Sequence, residues 1–278
     1  MQKLLKKVSF RSATDHLILT GDIIDKGPDS QGAVDLAREL SASCVRGNHE
    51  DRMLLALNDM RGHHASLPGP QEDPGRTVDT LDEESFSHGD YKARALARRF
   101  TDKQIRWLQR CPVILRVGEI EGMGEVVVVH AGLVPGVPLE RQDPFQTMNM
   151  RTIDLDTRLP SDGREGTAWE KVRPHAPKFS LIPKTSQSFP APSPHTQLLT
   201  RCQLWNHEQA KLPEKERSTV IYGHNSKRGK NILKYSKGLD SGCVNGGKLT
   251  AMVVEASKKG KAKTKIVSVK CKSQKPKR

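Results

Sequence analysis

Four times along this chain a short apolar run ends at a glycine set beside a side chain able to ligate or titrate. The segments are Thr20-Gly21-Asp22-Ile23-Ile24-Asp25-Lys26-Gly27, Arg46-Gly47-Asn48-His49-Glu50, Val129-His130-Ala131-Gly132 and Tyr222-Gly223-His224-Asn225. The runs before them, residues 17–20, 44–45, 126–129 and 220–222, are short and rich in β-branched residues, which predicts buried strands. Side chains at the carboxyl ends of strands in an open α/β sheet converge on one crevice. Glycine beside each of them removes a Cβ and lets backbone approach closely. Each segment alone reads as a turn residue, a helix cap or a core histidine. Four in order, each at a strand end, point to a shared site. Aspartate, asparagine and two histidines form a mixed oxygen and nitrogen set, suited to zinc, manganese or iron and not to calcium.

Between the first two runs, residues 30–40 place Ala33, Val34, Ala37 and Leu40 at helical spacing behind a capping Asp29 or Ser30. Residues 50–61 predict a second helix, stopped by Gly62. Strand, helix and strand in succession predict an α/β core. Residues 248–255 and 265–272 read as a hairpin with a basic turn. Two stretches look inserted: residues 62–90, rich in Gly, Pro, His and acids, and residues 174–194, which hold six of the 17 prolines. His63 and His64 read as loop histidines, and Trp169 and Trp205 as packing residues.

The longest aliphatic run is four residues, far short of the ~20 that a spanning helix needs. Five cysteines lie far apart without a Cys-x-x-Cys pair, which predicts reduced thiols, no disulfide framework and an intracellular, cytoplasmic setting. Cys243 is expected in a buried turn, not as a nucleophile. The net charge is +14, and ten of the basic residues fall in the last 22, a segment without acids. Such a segment attracts polyanions: nucleic acid, anionic membrane or polyphosphate. No P-loop pattern is present.

These four segments resemble motifs two to five of the calcineurin-like metallophosphoesterase superfamily. Residues 222–229 and 238–244 are similar to the fungal zinc-dependent endopolyphosphatase branch and to bacterial diadenosine tetraphosphatases. The resemblance covers residues 1–272, leaving 273–278 as a basic tail. It implies a four-layer α-β-β-α sandwich around a two-metal centre of Zn, Mn, Fe or Co. Asp22 would bridge both metals; Asn48, His130 and His224 would complete the second site. His49 would act as general acid, oriented by Asp25. Lys26, Arg46 and Arg151 would contact phosphate. The implied reaction is hydrolysis of a phosphoester or phosphoanhydride by metal-activated water, with polyphosphate as the partner and a vacuolar setting as the resemblance's suggestion. A serine/threonine phosphoprotein phosphatase and a dinucleoside polyphosphatase are the alternatives.

One part of the pattern is missing. The superfamily's first motif, Asp-x-His-Gly, does not occur before Asp22; Asp15 and His16 are adjacent and precede a strand. The expectation is therefore a sandwich lacking its first strand, with one metal held tightly at Asn48, His130 and His224 and slow turnover. A non-catalytic polyanion-binding protein is the reading from a different class.

Overall fold

Asp29 accepts a hydrogen bond from the Gly32 amide at 2.8 Å, so the first long helix starts where the sequence placed it. The computed structural model describes residues 1–62, 88–154, 157, 159–163, 167–168, 204–255 and 262–272. A short helix α1 (Gln2–Lys7) precedes strand β1 (Ile18–Leu19). Helix α2 (Ser30–Glu39) then crosses over to β2 (Ser43–Cys44), which pairs parallel with β1. Helix α3 (Asn48–Gly62) follows at once. It begins two residues earlier than expected, because the Glu50 side chain reaches back to the Gly47 amide at 2.8 Å. Gly62, the expected stop, is itself helical.

Of the expected inserted segments, residues 63–87 and 174–194 lie outside the described residues, as do His63, His64, Trp169 and the tail 273–278. Residues 88–90 belong to helix α4 (His88–Ala97). Helix α5 (Asp102–Gln109) follows, capped by Thr101 and Gln104 in a reciprocal pair of side-chain bonds. Ile24, Val34, Met53, Leu57, Phe100 and Leu108 of these elements share one buried cluster.

Strands β3 (Ile114–Ile120) and β4 (Gly124–Val129) form a hairpin. Helix α6 (Pro144–Asn149), capped by Asp143, leads into a small three-stranded sheet of β5 (Thr152–Ile153), β6 (Pro160–Ser161) and β7 (Thr167–Ala168). After the helix Leu204–Lys211 come β8 (Ser218–Tyr222), β9 (Asn231–Ile232) and β10 (Ser236–Gly238). The main sheet runs β3-β4-β8-β10-β9, with β4 parallel to β8 and β8 parallel to β10. The class is the expected mixed α/β. Val126 to Val129 are all buried, as a central strand covered on both faces requires. Val129, Val220, Tyr222, Leu133 and Met150 form the second core with Trp205, which is a packing residue.

The C-terminal hairpin of β11 (Lys248–Glu255) and β12 (Lys263–Lys270) forms as expected, with eight register pairs. Residues 256–261 between its strands lie outside the described residues. α1 packs on it, and Lys7 donates to the Ser268 carbonyl at 2.9 Å. The cysteines are not all reduced thiols, contrary to the expectation from their spacing. Cys243 and Cys271 are joined by a disulfide with Cα atoms 5.2 Å apart, while Cys44 and Cys111 are free and buried. The half-buried Cys243 turn folds back on β11 through Ser241 and Lys248, which brings two cysteines 28 positions apart together. Closing a loop of that length restricts the unfolded chain by about 3–4 kcal/mol. Cys243→Ser is expected to lower the denaturant midpoint accordingly. The difference should vanish when both proteins are unfolded in a reductant. Coincident midpoints without reductant would contradict the bond. Among the described residues, no helix is long and apolar enough to cross a membrane.

Candidate metal centre

The four glycine-flanked segments meet at the carboxyl ends of β1, β2, β4 and β8. Gly47 and Gly21 are needed for this approach. A Cβ on Gly47 would overlap the Asp22 carboxylate, and one on Gly21 would come within 2.8 Å of the His130 ring. Five non-glycine residues among those described have positive φ, and three of them are Asp22 (54°), Asp25 (74°) and His224 (68°). Such conformations cost about 1–3 kcal/mol each and persist where the surroundings over-determine them. Gly223 fixes the two histidine-bearing strand ends to each other by donating to the His130 carbonyl at 2.8 Å.

His130 is the centre of the cluster and is 1% exposed. Its Nδ1 lies 2.7 Å from the Thr20 carbonyl. The Nε2 of His224 lies 3.0 Å from the Asn149 carbonyl. A carbonyl only accepts, so each of those ring nitrogens carries the proton. The other two nitrogens, His130 Nε2 and His224 Nδ1, then face each other with lone pairs at 3.1 Å. Asn48 Oδ1 and Asp22 Oδ2 each lie 3.2 Å from that same His130 nitrogen. Four lone-pair atoms gathered around one point repel unless a cation sits among them. The donor set therefore fits a divalent metal, with Asp22, Asn48, His130 and His224 as its holders and two backbone carbonyls fixing the imidazoles.

Without a metal, a proton takes that place. Burial opposes a charge on His130, but the Asp22 carboxylate against it raises its pKa to about 9. Burial, the His130 charge and Arg151 push His224 down to about 3. Burial would raise Asp22 as well; the His130 charge and hydrogen bond hold it well below the usual carboxylate range. The histidine pair thus keeps one extra proton from about pH 3 to about 9. In the unfolded chain it takes up two below about pH 6.5 and none above. The folded pair binds more protons above that point and fewer below it, so its contribution to stability peaks near pH 6.5 and falls on both sides. Denaturant midpoints in a chelator between pH 5 and 9 should trace this maximum. Saturating zinc should displace the proton and remove the alkaline decline. A chelated protein growing steadily more stable up to pH 9 would contradict the shared proton.

Beside the cluster, His49 Nδ1 is 2.6 Å from the Asp25 carboxylate, and its Nε2 is 3.7 Å from Asp22. The hydrogen bond from His49 lowers the Asp25 pKa against a smaller opposing effect of burial. Lys26 is exposed next to Asp25 and adds to that lowering. Arg151 donates to the Asp162 carbonyl at 2.7 Å, and its charge is felt at His224. Arg46 is engaged with Asp51 at 3.5 Å and with the Gln109 carbonyl at 2.9 Å, between α3 and the end of α5. His16 is exposed on Ser43.

In the sequence Glu50 reads only as a helix start, yet it is wholly buried and accepts four backbone N–H groups. Its position three residues after Gly47 at a helix start was the available signal. The Thr20 and Asn149 carbonyls carried no sequence signal.

The family model described as calcineurin-like phosphoesterase matches residues 1–228. The chain is 25% identical over 267 residues to the symmetrical bis(5'-nucleosyl)-tetraphosphatase of Neisseria meningitidis, covering 91% of this chain and 86% of that protein. It is 24% identical over 268 residues to the zinc-dependent endopolyphosphatase of Saccharomyces cerevisiae, covering 92% of this chain and 72% of that one. A crystal structure titled as a candidate diadenosine tetraphosphatase superposes with a TM-score of 0.61 at 24% identity, covering 97% of this chain and 86% of that one, and shares the fold.

Proposed function

The chain belongs to the calcineurin-like phosphoesterase family, a family of hydrolases of phosphoester or phosphoanhydride bonds, and we propose that its substrate bond is the phosphoanhydride of linear polyphosphate. The observation that carries this reading is the convergence of Asp22, Asn48, His130 and His224 within reach of the His49–Asp25 pair. The +14 charge favours an extended polyanion. A bound divalent metal, Zn or Mn by the donor set, would supply Lewis acidity toward a phosphoryl oxygen and a more acidic water.

The chain's own residues do the rest. Asp25 holds the His49 Nδ1 proton, leaving Nε2 on the side of Asp22. A proton on Nε2 would pass to the leaving oxygen as the bond breaks. Lys26, exposed at the rim, would meet the chain of phosphates as a point charge. Arg151, close enough to influence His224, is the second cation for phosphate. Arg46, held between α3 and α5, would act by fixing the Gly47 loop.

The relatives named for bis(5'-nucleosyl)-tetraphosphate support a second reading, a dinucleoside polyphosphate cut at the same bond type. One assay separates the two. Long-chain polyphosphate and diadenosine tetraphosphate are offered in parallel with zinc, manganese or cobalt, and products are followed by gel and by anion-exchange chromatography. Shortening of polyphosphate at a higher kcat/KM supports the first reading. Nucleoside diphosphate formation alone would replace it with the second. No metal-dependent product from either would remove both.

A further inference from the structure

We infer that Glu50 is a positioning residue that holds the metal-binding loops in register, an inference that rests on the metal-centre reading above. Glu50 lies in the first turn of α3 and is 0% exposed. One carboxylate oxygen accepts from the Gly47 and Asp22 amides, both at 2.8 Å. The other accepts from Ile23 at 2.8 Å and Ile24 at 3.3 Å. These amides belong to two different loops, one leaving β1 and one leaving β2. Glu50 is thus a clasp between the loop that presents Asp22 and the loop that presents Asn48 and His49.

The geometry makes the clasp specific. Asp22 is held at φ 54° with its own amide on Glu50. Its side chain is held from the opposite side, accepting the His49 amide at 3.2 Å. Its remaining oxygen is the one beside His130. Release of the Asp22 amide would let a strained residue relax and carry that oxygen away from the cluster. Only a carboxylate suits the four donors: it offers acceptor lone pairs on both oxygens and no hydrogen. A glutamine of the same shape would turn an NH₂ group against two of the amides and leave them buried without partners.

The test is cobalt titration of the full chain, read by visible absorption, with Val34→Ala as a destabilised control. Val34 is fully buried in the helical core, and its side chain can neither ligate a metal nor accept a hydrogen bond. Glu50→Gln is expected to bind cobalt about 10–100-fold more weakly, the usual effect of removing a partner that orients metal ligands. Its cobalt band should also shift. Val34→Ala should lower the melting temperature while keeping the parent's affinity and band. Parental affinity and band in Glu50→Gln would overturn the inference and leave Glu50 with a stability role only. Should Glu50→Gln not fold, Glu50→Asp takes its place, since it keeps the charge and all four acceptor sites. Its shorter reach should give an intermediate affinity, and a parental value would overturn the inference. Failure of the parent itself to take up cobalt is a separate result, which sinks the metal-centre reading before any Glu50 variant is compared.

Discussion

His49→Ala is expected to slow metal-dependent hydrolysis by about 10²–10⁴-fold, the usual range for loss of a general acid or base. Cobalt affinity should stay at the parent's value. The separation follows from the geometry. The imidazole of His49 lies on Asp25, while the contact that steadies the Asp22 carboxylate comes from the His49 backbone amide, which alanine retains. The deficit should depend on the leaving group. A nitrophenyl ester, whose departing oxygen needs no proton, should lose far less than polyphosphate. Asp25→Asn should fall between the two proteins, since it keeps the shape of the partner and removes its charge. Equal loss on both substrates would show that His49 acts on binding and not on the departing oxygen.

His130→Ala should abolish cobalt uptake and activity together. Its Nε2 is the atom around which Asp22, Asn48 and His224 gather, so its removal takes away the central donor and leaves a set of three. His130 is also packed at 1% exposure, and the cavity left by truncation should cost about 2–5 kcal/mol. His224→Ala tests the ligand role with a smaller packing cost, because His224 is only half-buried. The pair of variants separates the two effects: both should lose the metal, and His130→Ala should lose more stability in chelator. Elemental analysis and thermal melts supply the readings. Parental cobalt affinity in either variant would exclude that side chain from the donor set.

The strand ends and most of the candidate site were legible because each is a local pattern. Val126 to Val129 reads as a buried strand without knowledge of its neighbours, and a glycine before Asn48 or His224 marks a tight approach whatever it approaches. What escaped depends on distant partners. Glu50 reads as an ordinary helix-start acid until the β1 loop is laid against it. Arg46 reads as a phosphate contact, and its bond to the Gln109 carbonyl appears only once α5 is laid beside it. Cys243 and Cys271 have unremarkable spacing, and only the turn at Ser241 and Lys248 folds one onto the other. The Thr20 and Asn149 carbonyls, which decide where the imidazole protons sit, are backbone atoms and leave no trace in residue identity.

The Cys243–Cys271 bond also turns the end of the chain into a covalent ring enclosing the whole basic hairpin. A protease that cuts one peptide bond inside the ring opens it without releasing a fragment. The nicked protein would run at its full 30.9 kDa until a reductant is added, and only then come apart. Every ligand and titrating side chain of the candidate site, from Asp22 to His224, lies before the ring begins. Nicked molecules should therefore keep both their metal and their activity, and the last 36 residues can absorb proteolytic wear that the site never registers.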